Sequence, residues 1–396
     1  MTKRGPSDRV AEQVGRLLVE LVRRSDARTT DPRALLDQVP AAVLVDRALH
    51  HRVPGVVYRS LVALGRDGAD FADLRSACQM ATLAHGRCLI ELASVAEVLG
   101  GTGRPWMVVK GPVLAELAYG DPGARLYEDL DLVVPAADLR VVLDALEEAG
   151  AEVTDLNWPM MVDLLRAEIP MVLSHGMLAD LHWHLLVTPR IRSRFSVPMD
   201  ELFARRRSVR LGGVEAPTLD VVDGLLYLCL HGSLSGGDQL VWLKDLDQAM
   251  EAEEVDWDEL VRRARRYRVA LVAAIQLERA RVVLGAGVPD SLPADLAGGE
   301  PWWRWWQMRE RRVGLGEWGA SQRSDGRLVS ATSDGSLASA VELSRVVATD
   351  MAEHYLKRPR SHGAEPDDAV PALYRSEGAQ EARAAYVSLV EAGTWE

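Results

Sequence analysis

Residues 125–134 read Arg-Leu-Tyr-Glu-Asp-Leu-Asp-Leu-Val-Val. The second half alternates, with Asp129 and Asp131 set against Leu130 and Leu132, and it stops at Pro135. That pattern predicts a strand ending at Val134. Strand side chains alternate between faces, so both carboxylates leave one face and both leucines the other. Like charges side by side on a sheet repel unless a countercharge lies between them. A divalent cation supplies it, and carboxylate oxygens are the usual protein ligands of Mg²⁺, which also holds substrate phosphates. An isolated Asp-x-Asp is more often a solvated strand face, so the reading depends on its surroundings.

Upstream, Trp106-Met-Val-Val-Lys110 is a short apolar run and reads as a strand. Gly111-Pro112 follows, then a helical pattern through Leu114, Leu117 and Ala118. Proline is well placed just inside a helix start. Glycine at a strand-to-helix junction lets the backbone approach a phosphate, and a helix N-terminus favours anions. Lys110, Gly111 and Arg125 are therefore the candidate triphosphate-binding residues. Downstream, a helix is expected over 136–149, capped by Gly150. Strand-like runs follow at Met171–Ser174 and Leu178–Val187, with a tight turn at His175-Gly176. If the later strand pairs beside 129–134, Asp180 joins the acidic pair as general base or shared metal ligand. His182 and His184 project with Asp180, and Leu181, Trp183 and Leu185 project to the opposite, core-facing side.

Around this centre the apolar period is helical. Helices are expected over 8–27, 32–50, 55–65 and 70–100, then from about 218 to 285, at 337–357 and at 376–392. Pro301-Trp-Trp-Arg-Trp-Trp306 reads as a helix-packing cluster, 319–336 as a Ser/Gly/Asp-rich loop, and 359–370 as loose chain. The expected fold is α+β: a small mixed-sheet core flanked by helical regions. The expected segments are a helical region 1–100, a catalytic core 101–215, a helical substrate-lining part 216–318, and linker with C-terminal helices over 319–396.

The 396 residues are 48% hydrophobic and 26% charged, ordinary for a globular protein with a sizeable core. A net charge of −12 argues against a general nucleic-acid binder and against adhesion to anionic membranes. Cys78, Cys88 and Cys229 form no CxxC pair, which fits reduced thiols. No apolar stretch reaches the ~18 residues of a membrane span, so a cytoplasmic location is expected. There is no GxxxxGK[ST] loop, no HExxH and no paired CxxC, which argues against a P-loop and against zinc.

Four motifs in order, Lys110-Gly111, Arg125-x-x-x-Asp129-Leu-Asp131, Asp180-Leu-His182-Trp183 and His231…Trp242-Leu-x-Asp245, resemble the bacterial "uncharacterised nucleotidyltransferase" family within the DNA polymerase β-like superfamily. The resemblance spans roughly residues 80–285. It implies transfer of a nucleoside monophosphate from an NTP, expected to be ATP, with release of pyrophosphate. Asp129, Asp131 and Asp180 would be the catalytic carboxylates and would hold two Mg²⁺ ions. His182, His231 and Asp245 would line the acceptor site. The implied acceptor is a hydroxyl of a small-molecule or peptide natural product. The rival readings are an enzyme that nucleotidylates a protein, as toxin-neutralising relatives do, and a non-catalytic scaffold with a relic site. Pro112 stands where the wider superfamily carries a phosphate-holding serine, so the acidic cluster matches that superfamily better than the phosphate cradle does.

Overall fold

The structure is a computed structural model, and it describes residues 6–311, 314–319, 329–356 and 377–393. The loop readings at 320–328 and 359–370 lie outside the described residues. The chain forms two compact units that interleave along the sequence. One comprises residues 1–85, 114–127 and 221–347, and the other 86–113, 128–220 and 348–396. Among the described residues no helix is long and apolar enough to cross a membrane.

The first unit is helical. Its core gathers Val14, Leu17, Leu18 and Leu21 from the helix Pro6–Val22, Leu44 and Ala48 from Ala41–His50, Val57 and Leu61 from Pro54–Ala63, and Leu240 and Leu243 from Leu240–Ala252. These positions recur at three- and four-residue spacing, which gives each helix one apolar stripe. The helices Val221–Leu234 and Ala270–Arg279 are buried almost all round, as helices at the centre of a bundle must be. In the tryptophan cluster, Trp303 and Trp306 stack with ring centroids 5.1 Å apart.

The second unit carries the sheet. Its strands are β1 (Met107–Val109), β2 (Asp129–Val133), β3 (Glu152–Val153), β4 (Glu168–Val172), β5 (Leu178–His182), β6 (Arg207–Leu211) and β7 (Val214–Thr218). The spatial order is β1-β2-β5-β4-β3. Only β2 and β5 run parallel; β1 on β2, β4 on β5 and β3 on β4 are antiparallel. The fold is α+β, a mixed sheet with helices. Leu130, Leu132, Ile169 and Leu181 are fully buried, and so are Leu139 and Val142 of the helix Leu139–Glu148.

Four features depart from the sequence reading. β5 ends at His182, where the pattern alone extended it to Val187. β4 begins at Glu168, three residues before the expected strand. Pro170 hid that start, since proline within a run argues against a strand interior. The two-residue β3 and the β6–β7 hairpin were also not foreseen. The C-terminal helix Glu377–Glu391 completes this unit: the Trp183 indole N–H donates to the Tyr386 hydroxyl at 2.7 Å, and Tyr386 lies 5.7 Å from the Trp158 ring.

Candidate metal centre

The β2–β5 register decides the geometry. Asp131 lies directly opposite Asp180, and Val133 opposite His182. Period-two alternation then puts Asp129, Asp131, Asp180 and His182 on one face. Ligand atoms of Asp131, Asp180 and His182 all lie within 4.8 Å of one another. β1 delivers a cation to the same place: Val109 pairs with Asp131, and the next residue, Lys110, sets its Nζ 3.0 Å from Asp131 Oδ1. Lys110 does so in a left-handed backbone conformation, φ 53°. A residue with a Cβ pays about 1–2 kcal/mol there, a cost that the pairing with Asp131 offsets.

The two facing carboxylates are driven apart in acidity. Burial opposes the ionisation of Asp131, but the Lys110 ammonium and the His182 hydrogen bond outweigh it and hold its carboxyl well below the usual range. His182 Nε2 lies 3.2 Å from Asp131 Oδ1, and its Nδ1 is buried with no hydrogen-bond partner among the described residues. Asp180 is pushed up to about 6, first by burial, then by the charges of Glu168, Asp131 and Asp129, with His182 pulling the other way. Separated acidities in one cluster are the signature of a chemically tasked pair. Glu168 was not singled out from the sequence; its signal, alternation across Glu168–Val172, was masked by Pro170. His184 takes no part: burial, with Arg192 nearby, lowers its pKa to about 3, and its Nδ1 accepts from the Leu186 amide.

The other candidates sit in the helical unit. Arg125 is buried and grips Asp245 with two bonds, Nε to Oδ1 at 2.8 Å and Nη2 to Oδ2 at 2.9 Å. Tyr119 donates its hydroxyl to the same Asp245 Oδ1 at 2.9 Å. Beside them runs a second chain, in which Tyr127 contacts His85 Nδ1 and His85 Nε2 contacts Glu116, each at 2.7 Å. His231 packs edge-on against Trp242 with centroids 4.9 Å apart. The structure thus brings together Lys110, Gly111, Asp129, Asp131, Asp180 and His182 in one unit, and Arg125, His231 and Asp245 in the other.

Against known families, the chain matches the one described as "uncharacterised nucleotidyltransferase" over residues 37–285, more than half its length. The chain belongs to this family. It is therefore a nucleotidyltransferase. Among solved structures it is similar to the antibiotic-resistance factor ANT(2'')-Ia, at 14% identity and a TM-score of 0.27, over 59% of this chain and 98% of that one. No curated protein matches it.

The donor set fits a hard divalent cation. The carboxylates of Asp131 and Asp180 and the His182 imidazole converge at ligand spacing, and a cation among them would relieve the crowding that raises Asp180.

Proposed function

We propose that this nucleotidyltransferase moves a nucleoside monophosphate from an NTP, with ATP as the expected donor, to a hydroxyl of a small-molecule or peptide acceptor. The acceptor oxygen bonds to the α-phosphorus, the bond from that phosphorus to the bridging oxygen breaks, and pyrophosphate leaves. The observation that carries the reading is the in-register Asp131–Asp180 pair, flanked by Asp129 and His182 on one face of the sheet. Asp129, Asp131 and Asp180 would hold two Mg²⁺ ions, which neutralise phosphate charge and orient the phosphoryl group.

The chain's own groups take the remaining tasks. Asp180, directly opposite Asp131 in the register of β2 and β5, would accept the acceptor's hydroxyl proton. Lys110 holds Asp131 ionised and supplies positive charge at the phosphate side, next to Gly111, where the backbone can approach closely. His182 fixes the Asp131 carboxylate through its Nε2. Arg125, with both edges of its guanidinium on Asp245, we assign to holding the helical unit's buried network rather than to the phosphates. Asp245, held by Arg125 and Tyr119, and His231, packed against Trp242, belong to that same network.

Pyrophosphate release with each of the four NTPs, with and without Mg²⁺, tests the proposal against a panel of hydroxyl acceptors. Asp129→Asn and Asp131→Asn are each expected to lower turnover about 10³-fold or more, in line with removal of a key charge-stabilising group. Full turnover in Asp131→Asn refutes the metal assignment. Intact-mass analysis separates acceptor classes, since a nucleotide adduct on a protein in place of a small molecule favours the protein-modifying alternative. No pyrophosphate with any NTP and no metal binding would leave only a scaffold.

A further inference from the structure

The sheet unit contains a groove of about 490 Å³ where β1 begins. Arg104, Trp106, Arg206, Arg207, Ser208 and Pro217 line it, and among the described residues no acidic side chain does. That is unexpected in a chain with 58 acidic against 46 basic residues. The arginines are anchored from behind. Arg206 donates to the Phe203 carbonyl, and Arg207 donates to the Leu219 carbonyl at 3.2 Å. Arg104 sets one nitrogen 3.2 Å from Asp138 while half its side chain stays exposed. Among the described residues no carboxylate pairs with Arg206. Glu215, which accepts from Ser208, is itself paired with Arg210 at 3.3 Å.

We propose that this groove is a second anion site, built to take a small phosphorylated molecule. Guanidinium forks match phosphate oxygens two at a time. The volume falls within the ~300–1,000 Å³ of small-ligand sites, and Trp106 and Pro217 give an apolar wall for whatever the phosphate carries. The groove is separate from the Asp131 cluster. Four residues of extended chain, about 13 Å at ~3.3 Å each, run from Trp106 to Lys110.

Calorimetry of the full chain with tripolyphosphate tests this, at low ionic strength and in buffer stripped of divalent metal on a chelating resin. One binding event is expected. Arg206→Ser should weaken it at least tenfold, Arg104→Ser should weaken it independently, and Arg206→Lys should recover part of the loss. Lys110→Met should leave it unchanged. Raising the salt tenfold should weaken binding, because exposed charges are screened. Circular dichroism checks the fold of each variant; both serines replace exposed arginines, and either one decides the question. No binding by the wild-type chain overturns the proposal. So does equal binding by both serine variants, or a loss in Lys110→Met that the arginine variants do not show, since the anion would then sit beside Asp131.

Discussion

Replacing Asp245 by alanine tests whether Arg125 belongs to the buried frame or to the phosphates. The carboxylate accepts three bonds, two from Arg125 and one from Tyr119, at 2.8–2.9 Å. The pair is deeply buried, with side-chain exposures of 6% and 2%. Removing one partner of a buried ion pair strands the other charge, at a cost of about 3–5 kcal/mol. Tyr119 loses its acceptor in the same step, which takes the expectation to the upper half of that range. With a urea dependence of about 3 kcal/mol per molar, the unfolding midpoint should fall by ~1–2 M. Arg125→Met combined with Asp245→Leu should cost clearly less than the sum of the single changes, because no charge is left buried. Urea unfolding followed by tryptophan fluorescence reads all four members of the cycle. A loss below about 1 kcal/mol for Asp245→Ala, with a raised KM for the NTP instead, would refute the reasoning and return Arg125 to the triphosphate.

Two further outcomes follow from the sheet unit. The folded-state pKa of Asp180, raised to about 6 from an ordinary 3.8, makes its ionised form a destabilising one, so its penalty is absent below about pH 4, grows as pH rises towards 6 and levels off above it. Asp180→Asn should therefore raise the metal-free Tm at pH 7.5 by about 2 °C, after discounting for partial exposure. The gain should vanish at pH 4, and a gain of equal size at both values would show that the effect is not ionisation. Tyr386→Phe removes the acceptor of the Trp183 indole N–H and the donor to the Arg166 carbonyl, which should cost about 1–3 kcal/mol and lower the Tm by roughly 5 °C. An unchanged Tm would show that the C-terminal helix does not support this unit.

Which residues share the candidate centre's face was legible because it rests on local rules. Alternation puts Asp129 and Asp131 on one face whatever the rest of the chain does, and the same rule puts Asp180 with His182. The Lys110-Gly111 junction was visible as a change of period from strand to helix. The two helix-rich flanks were legible from three- and four-residue spacing. The sheet's less regular parts were not: Pro170 concealed β4 and with it Glu168, and β3 is too short to show a period.

By itself, then, the sequence determined which residues share a face, where the main helices run and which chemistry the carboxylates suit. Only the tertiary structure decided which faces meet. That Asp131 lies opposite Asp180 and not one residue away is a matter of register between strands about 50 residues apart, set by burial of Leu130, Leu132 and Leu181 on the other face. A one-residue slip would turn those leucines outward. Arg125 shows the same limit from the other side. Four residues before Asp129 in the chain, it reads as part of the acidic motif, yet its guanidinium is taken by Asp245, 120 residues away. A buried arginine must find a carboxylate wherever packing brings one, and no local pattern records which one that will be.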